Sequence, residues 1–204
     1  MSIRDTSIDP KILKSARDEF MEHGFIKADL KTICDNAGVT TGAVYKRYSG
    51  KEELFCAVVS ETTEILSRFI DERNNIDFSP MTDDDVRMTW TMNEEYMLEM
   101  FKMLWDIRDD FVLLLEKSAG TKYENYRHDF ALHMTDAYMK YYSEARKRGL
   151  AKVKISKTEM HALCSSFWTA VYEPFIHDMS WKEVQTHCRI LCRFFNWAGA
   201  ISMD

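Results

Sequence analysis

The sequence predicts an all-α protein of about nine helices. Apolar residues recur at helical spacing through most of the chain, and no segment shows the β-branched alternation of a strand. Four expected helix starts also carry a capping box, in which a Ser or Thr hydroxyl and a Glu carboxylate three residues later each bond a free backbone N–H. These boxes are Ser49–Glu52, Thr121–Glu124, Ser156–Glu159 and Ser180–Glu183.

The first three helices form a compact N-terminal pattern. We expect the first helix to begin with Asp9 as its N-cap, followed by Pro10, and to end at Gly24. Asp29 can cap a second helix, whose apolar positions recur up to Ala37. Gly38 then supplies the backbone freedom that a tight turn between two crossing helices needs. Because Thr40 is a plausible N-cap for the next helix, the pattern predicts a helix-turn-helix.

The second helix of this motif has a face that suits a ligand. At 100° per residue, Thr41, Gly42, Tyr45 and Lys46 lie on one face, and Val44 lies on roughly the opposite one. The first face has a hydroxyl, a bare backbone position, a phenol and a cation, as a helix against DNA phosphates requires. An ordinary surface helix in an α-hairpin remains the alternative from the pattern alone.

The first 60 or so positions resemble the DNA-binding domain of TetR-type transcriptional regulators. The matching residues are Ile12-Leu13, Ala16, Phe20, Gly24-Phe25, Ile33, Ala37-Gly38-Val39, Gly42, Val44-Tyr45, Tyr48 and Lys51-Glu52-Glu53-Leu54. The resemblance implies a homodimer on a palindromic operator, in which the helix from Thr40 to Arg47 enters the major groove of double-stranded DNA. It implies these DNA-binding residues: Thr32, Thr40, Thr41, Gly42, Ala43, Tyr45, Lys46, Arg47 and Lys51, with Thr32, Tyr45 and Lys51 on phosphates. Ala43 and Arg47 depart from residues common in the family, which bears on the operator sequence.

The remaining helices divide the chain into domains. We expect a helix-turn-helix domain over 1–50, a connecting helix over 50–73 and a ligand-binding and dimerisation domain over 74–204, with a loop from Asn74 to Thr82 at the junction. Two helices are expected from Asp83 to Ser118, and a long one from Lys122 to about Arg148. Two more, at about Lys157–Met179 and Trp181–Ala198, complete the chain.

The second domain is rich in Met and aromatic residues, which suit a pocket for flat or apolar molecules of varied shape. A Met-rich core explains the same pattern equally well. In TetR-type proteins this region holds the inducer, so the resemblance implies a small-molecule inducer. The candidate ligand-binding residues are Met97, Phe101, Trp105, Phe130, Met134, Phe167, Trp168 and Tyr172.

The last two helices are apolar over a wide arc, so more than one neighbour must cover them. A central position in the core of one chain accounts for this pattern as well as a dimer does. The resemblance favours the dimer, because TetR-type regulators dimerise through a four-helix bundle of these helices. The implied interface residues are Met160, Leu163, Val171, Val184, Cys188, Leu191 and Phe195.

Composition and charge limit the remaining functions. The net charge is −6, yet residues 1–51 carry nine Lys or Arg against seven Asp or Glu, and the remainder carries 18 against 26. The five cysteines lack the spacing of a zinc or redox site, and we expect reduced, mostly buried thiols. With no metal-ligand spacing and no catalytic motif, we expect no metal, no cofactor and no enzyme. No apolar leader or membrane span is apparent, so we expect a cytoplasmic protein without a membrane partner.

The sequence therefore favours a homodimeric DNA-binding transcriptional regulator, a repressor released by an apolar or aromatic ligand. Two alternatives stay open at this point. One is a small-molecule binding protein without operator binding, and the other is an all-α enzyme acting on the same ligand.

Overall fold

The computed structural model describes residues 8–203, and over these residues the chain is helical with no β-strand. The predicted all-α class is confirmed, with twelve α-helices in the described part instead of about nine. The helices are α1 (Asp9–Lys27), α2 (Leu30–Ala37), α3 (Thr41–Tyr45), α4 (Lys51–Val58), α5 (Ser60–Asn74), α6 (Asp83–Met88), α7 (Glu94–Asp106), α8 (Arg108–Val112), α9 (Tyr126–Lys147), α10 (Lys157–Ile176), α11 (Trp181–Phe194) and α12 (Trp197–Ala200). A π-helical turn over Leu113–Lys117 follows α8 directly.

The chain contains two compact units whose boundaries differ from the expected domains. The first unit consists of residues up to Ile65 together with Ile107–Tyr126, and the second of Leu66–Asp106 together with Arg127–Asp204. The division therefore falls inside α5, where the sequence had placed a separate connecting helix. Residues 107–126 belong to the first unit although they lie far along the chain, because their helical turns pack against α1.

The core of the first unit forms around α1. Its apolar stripe, Ile12, Ala16 and Phe20, is fully buried, as the helical spacing predicted. Phe20 meets Phe55 of α4 edge-on, with ring centroids 5.1 Å apart. Each fully buried large apolar side chain contributes about 1.5 to 3 kcal/mol relative to an exposed one. Ser15 adds a polar link, since its hydroxyl donates to the Ile33 carbonyl at 2.9 Å.

The helix-turn-helix has the predicted turn and caps. Gly38 ends α2 in the left-handed conformation, with φ at 67°, which a residue with a Cβ adopts only at a cost. The Asp29 side chain accepts from the Lys31 N–H at the start of α2. Thr40 accepts from the Ala43 N–H at the start of α3. The three elements predicted from the spacing are therefore present.

Three expected helix starts in the first unit are wrong. Ile8 precedes α1, and the Asp9 carboxylate pairs with Arg47 instead of capping the helix. Gly50 occupies the N-cap of α4, and Glu53 accepts from the Ser49 N–H at 2.6 Å in place of Glu52. Thr121 lies in a turn, where its hydroxyl donates to the Ser118 carbonyl at 2.7 Å.

The long helix expected from Ser49 to about Arg73 is also divided. Val59 has φ −93° and ψ 6°, which ends α4 and lets α5 begin at Ser60. Neither Gly nor Pro marks this break in the sequence, and the helical spacing of apolar residues continues across it. The segment is therefore two helices and not one rod.

The second unit confirms two of the capping boxes. Glu159 accepts from the Ser156 N–H at 2.7 Å at the start of α10. Glu183 accepts from the Ser180 N–H at 2.8 Å at the start of α11. A third box, Thr82 with Asp85, begins α6, and the sequence pattern missed it because Asp replaces Glu.

The loop between α5 and α6 is held by hydrogen bonds from α9 and from Arg148, the residue directly after it. Arg148 donates to the carbonyls of Phe78 at 2.9 Å and Met81 at 2.7 Å. Lys140 donates to the Asn74 carbonyl at 2.8 Å. The expected junction is thus an ordered loop within one unit. None of the helices in residues 8–203 combines the length and hydrophobicity that crossing a membrane requires.

Candidate DNA-binding surface and ligand cavity

The face of α3 predicted to meet DNA is exposed. Thr41, Gly42, Tyr45 and Lys46 are all open to solvent, and the Tyr45 side chain is 56% exposed. Val44, on the opposite side of this five-residue helix, is buried and holds α3 against the first unit. The surface therefore presents a hydroxyl, a bare backbone, a phenol and an ammonium without aliphatic cover.

The remaining residues expected on phosphates or bases lie beside this face. Thr40 is exposed, and its oxygen accepts from the Ala43 N–H at 3.2 Å while its own O–H remains able to donate. Thr32, half-buried in α2, has its hydroxyl 3.4 Å from the Asp29 carboxylate. Ala43 is half-buried. These three residues can support contacts to DNA, but their polar groups already have local roles.

Arg47 does not extend toward DNA, which corrects the sequence prediction. Helix α3 ends at Tyr45, so Arg47 lies in the following turn and not on the helix. Its side chain is 7% exposed, and its Nε donates to the Asp9 carboxylate. Its Nη1 donates to the Ala43 carbonyl at 3.0 Å. Arg47 therefore joins the end of α3 to the start of α1.

Lys51, expected on a phosphate, makes internal hydrogen bonds in the free chain. Its ammonium donates to the carbonyl of Ala28 at 2.9 Å and to that of Ile26 at 3.1 Å. It also lies 4.8 Å from the centre of the Phe25 ring. These carbonyls belong to the end of α1, where a cation offsets the negative end of the helix dipole.

Several cations of the first unit are exposed, although the unit as a whole has more Asp and Glu than Lys and Arg. Arg17 is neutralised by Asp110, to which its Nη2 donates at 2.8 Å, and Lys14 pairs with Asp18 at 2.7 Å. Five other lysines of this unit are exposed and form no ion pair with any residue that the structure describes: Lys11, Lys27, Lys31, Lys46 and Lys122. Lys46 is the one next to the exposed face of α3.

The second unit contains a cavity of about 570 Å³. Its inner wall consists of buried apolar and aromatic residues. Its rim consists of exposed and half-buried residues from α5, α6, the segment between α6 and α7, and the start of α7. The inner wall includes Phe69, Trp90, Met97, Met100, Met134, Ala137, Phe167, Trp168 and Trp197. This volume and wall are typical of a site for a small apolar molecule.

Four of the eight residues expected to bind ligand line the cavity: Met97, Met134, Phe167 and Trp168. The other four lie elsewhere. Phe101 packs on Phe175, with ring centroids 6.2 Å apart. Trp105 packs on Trp181 at 5.4 Å. Phe130 lies behind Trp168 at 4.9 Å, and Tyr172 lies under the Arg127 guanidinium at 5.4 Å. Helical spacing alone could not say which side of each aromatic stripe faces the cavity.

The prediction from sequence did not include the polar residues of the cavity. Arg73 and Tyr96 lie at its rim, and Tyr138 and Tyr141 of α9 lie in its wall. Burial raises the pKa of Tyr138 and of Tyr141, so both phenols stay neutral donors near neutral pH. The Nε1–H groups of Trp90 and Trp168 are buried without an acceptor among the described residues. In residues 8–203 no three His, Cys, Asp or Glu side chains come together as metal ligands do.

Burial within the single chain corrects the predicted set of dimer-interface residues. Met160, Val171, Val184, Cys188 and Leu191 are enclosed by their own chain, so these side chains are not available to a partner. Phe195 is half-buried and packs on Phe167, with ring centroids 5.1 Å apart. Leu163 is 37% exposed and is the one member of the set on the outer surface. The outer faces of α10 and α11 carry three exposed large apolar residues: Leu163, Ile190 and Phe194.

Residues 12–58, which include the whole helix-turn-helix described above, match the family described as bacterial regulatory proteins, tetR family. The match to this family is confined to the N-terminal part of the chain. The chain is also 35% identical over 69 residues to the HTH-type transcriptional regulator UidR of Escherichia coli K12. That match covers 33% of this chain and 35% of UidR, so the chain spans about a third of the length of this relative. The resemblance predicted for the TetR-type domain is confirmed.

Solved structures extend the similarity of fold to most of the chain. NalD of Pseudomonas aeruginosa, the secondary repressor of the MexAB-OprM multidrug efflux pump, matches with a TM-score of 0.64 and 16% identity. The match covers 93% of this chain and 97% of NalD. The SmeT–triclosan complex matches with a TM-score of 0.61 and 19% identity, covering 96% of this chain and 91% of SmeT. At these identities the two matches show a shared fold and nothing further.

Proposed function

We propose that this protein is a homodimeric transcriptional repressor that binds a palindromic operator through α3 and is released by a ligand in the cavity of its second unit. The observation that carries the proposal is the exposed α3 face within the family match over residues 12–58. A helix of this kind reads base edges in the major groove while neighbouring side chains hold phosphates.

The DNA contacts follow from exposure. Thr41, Tyr45 and Lys46 extend from α3 and supply hydroxyl and ammonium groups to phosphates or bases. Gly42 lets the helix approach the duplex closely, because no side chain separates its backbone from the groove. Arg47 and Lys51 hold the helices in place and are not contacts in this proposal.

The dimer is proposed to form through the outer faces of α10 and α11. Ile190 and Phe194 are one helical turn apart, so they share a face of α11, and they are 60% and 79% exposed. Leu163 adds an exposed apolar side chain from α10. A second copy covering these residues removes apolar area from water at about 25 cal/mol per Å². Closed two-fold symmetry then gives two recognition helices for two half-sites.

The cavity is proposed as a regulatory ligand site rather than an active site. Its inner wall is formed of Met and aromatic side chains, which adapt to apolar ligands of different shape. SmeT, which shares the fold, has been solved with triclosan, and NalD is a repressor of an efflux pump. A ligand-responsive repressor of this kind acts in the cytoplasm, where the DNA lies.

The proposal is tested with the duplex upstream of the gene for this protein, labelled for fluorescence anisotropy. The expected result is binding that is about 10³-fold or more tighter than to a scrambled duplex of equal composition. A Tyr45→Ala/Lys46→Ala variant should lose this preference, while Lys102→Ala, an equal charge change on α7 in the second unit, should keep it. Equal affinity of the wild type for both duplexes contradicts the proposal.

A further inference from the structure

Arg73 is a half-buried cation at the ligand cavity that no carboxylate neutralises. Its guanidinium carbon lies 3.3 Å from the centre of the Phe69 ring, and its Nη1 donates to the Phe69 carbonyl at 2.9 Å. Its Nη2 donates to the Tyr96 hydroxyl. In the part of the chain that the structure describes, Arg73 forms no ion pair with Asp or Glu. A guanidinium has five N–H donors, so three remain for a ligand.

The buried wall near Arg73 is rich in donors and poor in acceptors. Trp90 and Trp168 each have an indole N–H with no acceptor among the described residues. The Arg73 charge also reaches the phenols of Tyr138 and Tyr141, since it opposes the rise in pKa that burial causes in both. Unpaired buried donors are unfavourable, and a ligand with acceptor oxygens relieves them.

Two carboxylates at the rim of the cavity, those of Asp85 and Glu72, would favour a cationic ligand. Asp85 is already occupied, because it accepts from the Thr82 N–H at 2.8 Å and the Thr82 O–H at 2.7 Å. Glu72 is exposed to water. Exposed charges are screened by water and salt, whereas a half-buried guanidinium on an aromatic ring keeps more of its attraction. The balance inside the cavity is therefore toward an anion.

We propose that the ligand is an apolar carboxylic acid bound as its anion, with the carboxylate on Arg73 and the apolar body among Met97, Met134 and Trp168. The inference rests on the proposed ligand cavity and adds the charge class of its occupant. Arg suits this role because its planar fork binds both oxygens of a carboxylate. The Met and Trp side chains provide an adaptable apolar surface for the rest of the molecule.

The test uses three probes that share one aromatic body and differ in charge: naphthoate, naphthylmethanol and naphthylmethyltrimethylammonium. Isothermal titration calorimetry with the full-length protein at neutral pH gives the dissociation constant of each. The expected result is that naphthoate binds about tenfold or more tighter than the neutral alcohol, as a charge-assisted hydrogen bond provides. The ammonium compound is expected to bind least well.

Two variants assign the preference to Arg73. Arg73→Met keeps an apolar stem over Phe69 but removes the charge, and it should bring naphthoate to the affinity of the alcohol. Arg87→Met is the matched control, because Arg87 lies on α6, outside the cavity lining, and pairs with Asp84 at 3.0 Å. Tyr96→Phe removes one partner of Arg73 without its charge and should keep the preference for the acid.

The outcomes separate the two proposals. Equal binding of acid and alcohol to the wild type, tighter binding of the ammonium compound, or an unchanged preference in Arg73→Met overturns the inference and leaves the ligand cavity standing. Absence of binding by all three probes overturns the ligand cavity of the proposed function and the inference with it.

Discussion

The Arg47 side chain forms a partly buried ion pair with Asp9, which lies thirty-eight residues earlier in the chain. The pair fixes the turn after the recognition helix to the first turn of α1. Arg47→Met should therefore lower the free energy of unfolding by about 1 to 3 kcal/mol, because the Asp9 carboxylate loses a charged donor. Urea unfolding followed by circular dichroism measures this change. Arg68→Met, an exposed arginine on α5, should leave stability nearly unchanged, and equal stability of Arg47→Met and the wild type contradicts the structural role.

Substitutions of Lys46 and Lys51 are predicted to have different effects, on DNA binding for Lys46 and on stability for Lys51. Lys46→Met should lower the slope of log affinity against log salt for operator DNA by about 0.9, because one phosphate contact is lost. Lys51→Met should leave that slope unchanged and lower stability by about 1 to 2 kcal/mol, because two carbonyls at the end of α1 lose their cation. Anisotropy titrations at several salt concentrations measure the slopes. A reduced slope for Lys51→Met with an unchanged slope for Lys46→Met reverses the assignment.

The dimer surface is tested by two aspartate substitutions one helical turn or less apart. Phe194→Asp should give a folded monomer, because the side chain is exposed in the single chain and would be covered only in the proposed dimer. Leu191→Asp should unfold the second unit, since Leu191 is buried within its own chain. Sedimentation and circular dichroism distinguish these results. Val153→Asp, at another exposed apolar site, should remain dimeric, and a native dimer for Phe194→Asp removes α11 from the interface.

Stability should fall at alkaline pH, in part through Cys164. Burial raises the pKa of this thiol to about 12, above the value of 9.0 for an exposed one, although a hydrogen bond to Thr135 acts the other way. Because the folded state holds the proton more tightly, its contribution is complete below pH 9 and is lost as pH rises toward 12. The loss of stability between pH 7 and pH 10 should be smaller by about 1 kcal/mol in Cys164→Ala. An identical loss in both proteins contradicts the assignment.

Local sequence signals predicted the first unit well. Gly38, Thr40 and the stripe of Ile12, Ala16 and Phe20 act through residues near in sequence or through one helix face. The break at Val59 has no such signal, because neither Gly nor Pro lies there. Asp9 failed as a cap for a related reason, since its carboxylate found a partner that lies far along the chain.

The site was harder to predict because its side chains come from distant segments. Arg47 and Lys51 were assigned to DNA by their positions in the motif, and only the folded chain shows their bonds to Asp9 and to the end of α1. Arg73 of α5 and Trp90 of the segment between α6 and α7 both line the cavity, and no sequence spacing connects them. Burial likewise separated Leu163 from the other residues expected in the dimer.

Helix α5 runs without a break from the first unit to the lining of the proposed ligand cavity. It begins at Ser60 in the first unit, and its second half carries Phe69, Glu72 and Arg73 of the cavity lining. A ligand that favours one position of these residues favours one state of the helix that continues into the other unit. Coupling of this kind is reciprocal. Bound DNA must therefore lower the affinity for the ligand by the same factor by which bound ligand lowers the affinity for DNA.

The most direct test of this account is a pair of titrations of the naphthyl probe that binds most tightly, one with the free protein and one with the protein saturated by its upstream operator. A ligand-released repressor should give a dissociation constant for the probe that is about 5- to 150-fold higher in the presence of operator, and the same factor when operator is titrated with and without the probe. Equal dissociation constants with and without operator contradict a ligand-released repressor.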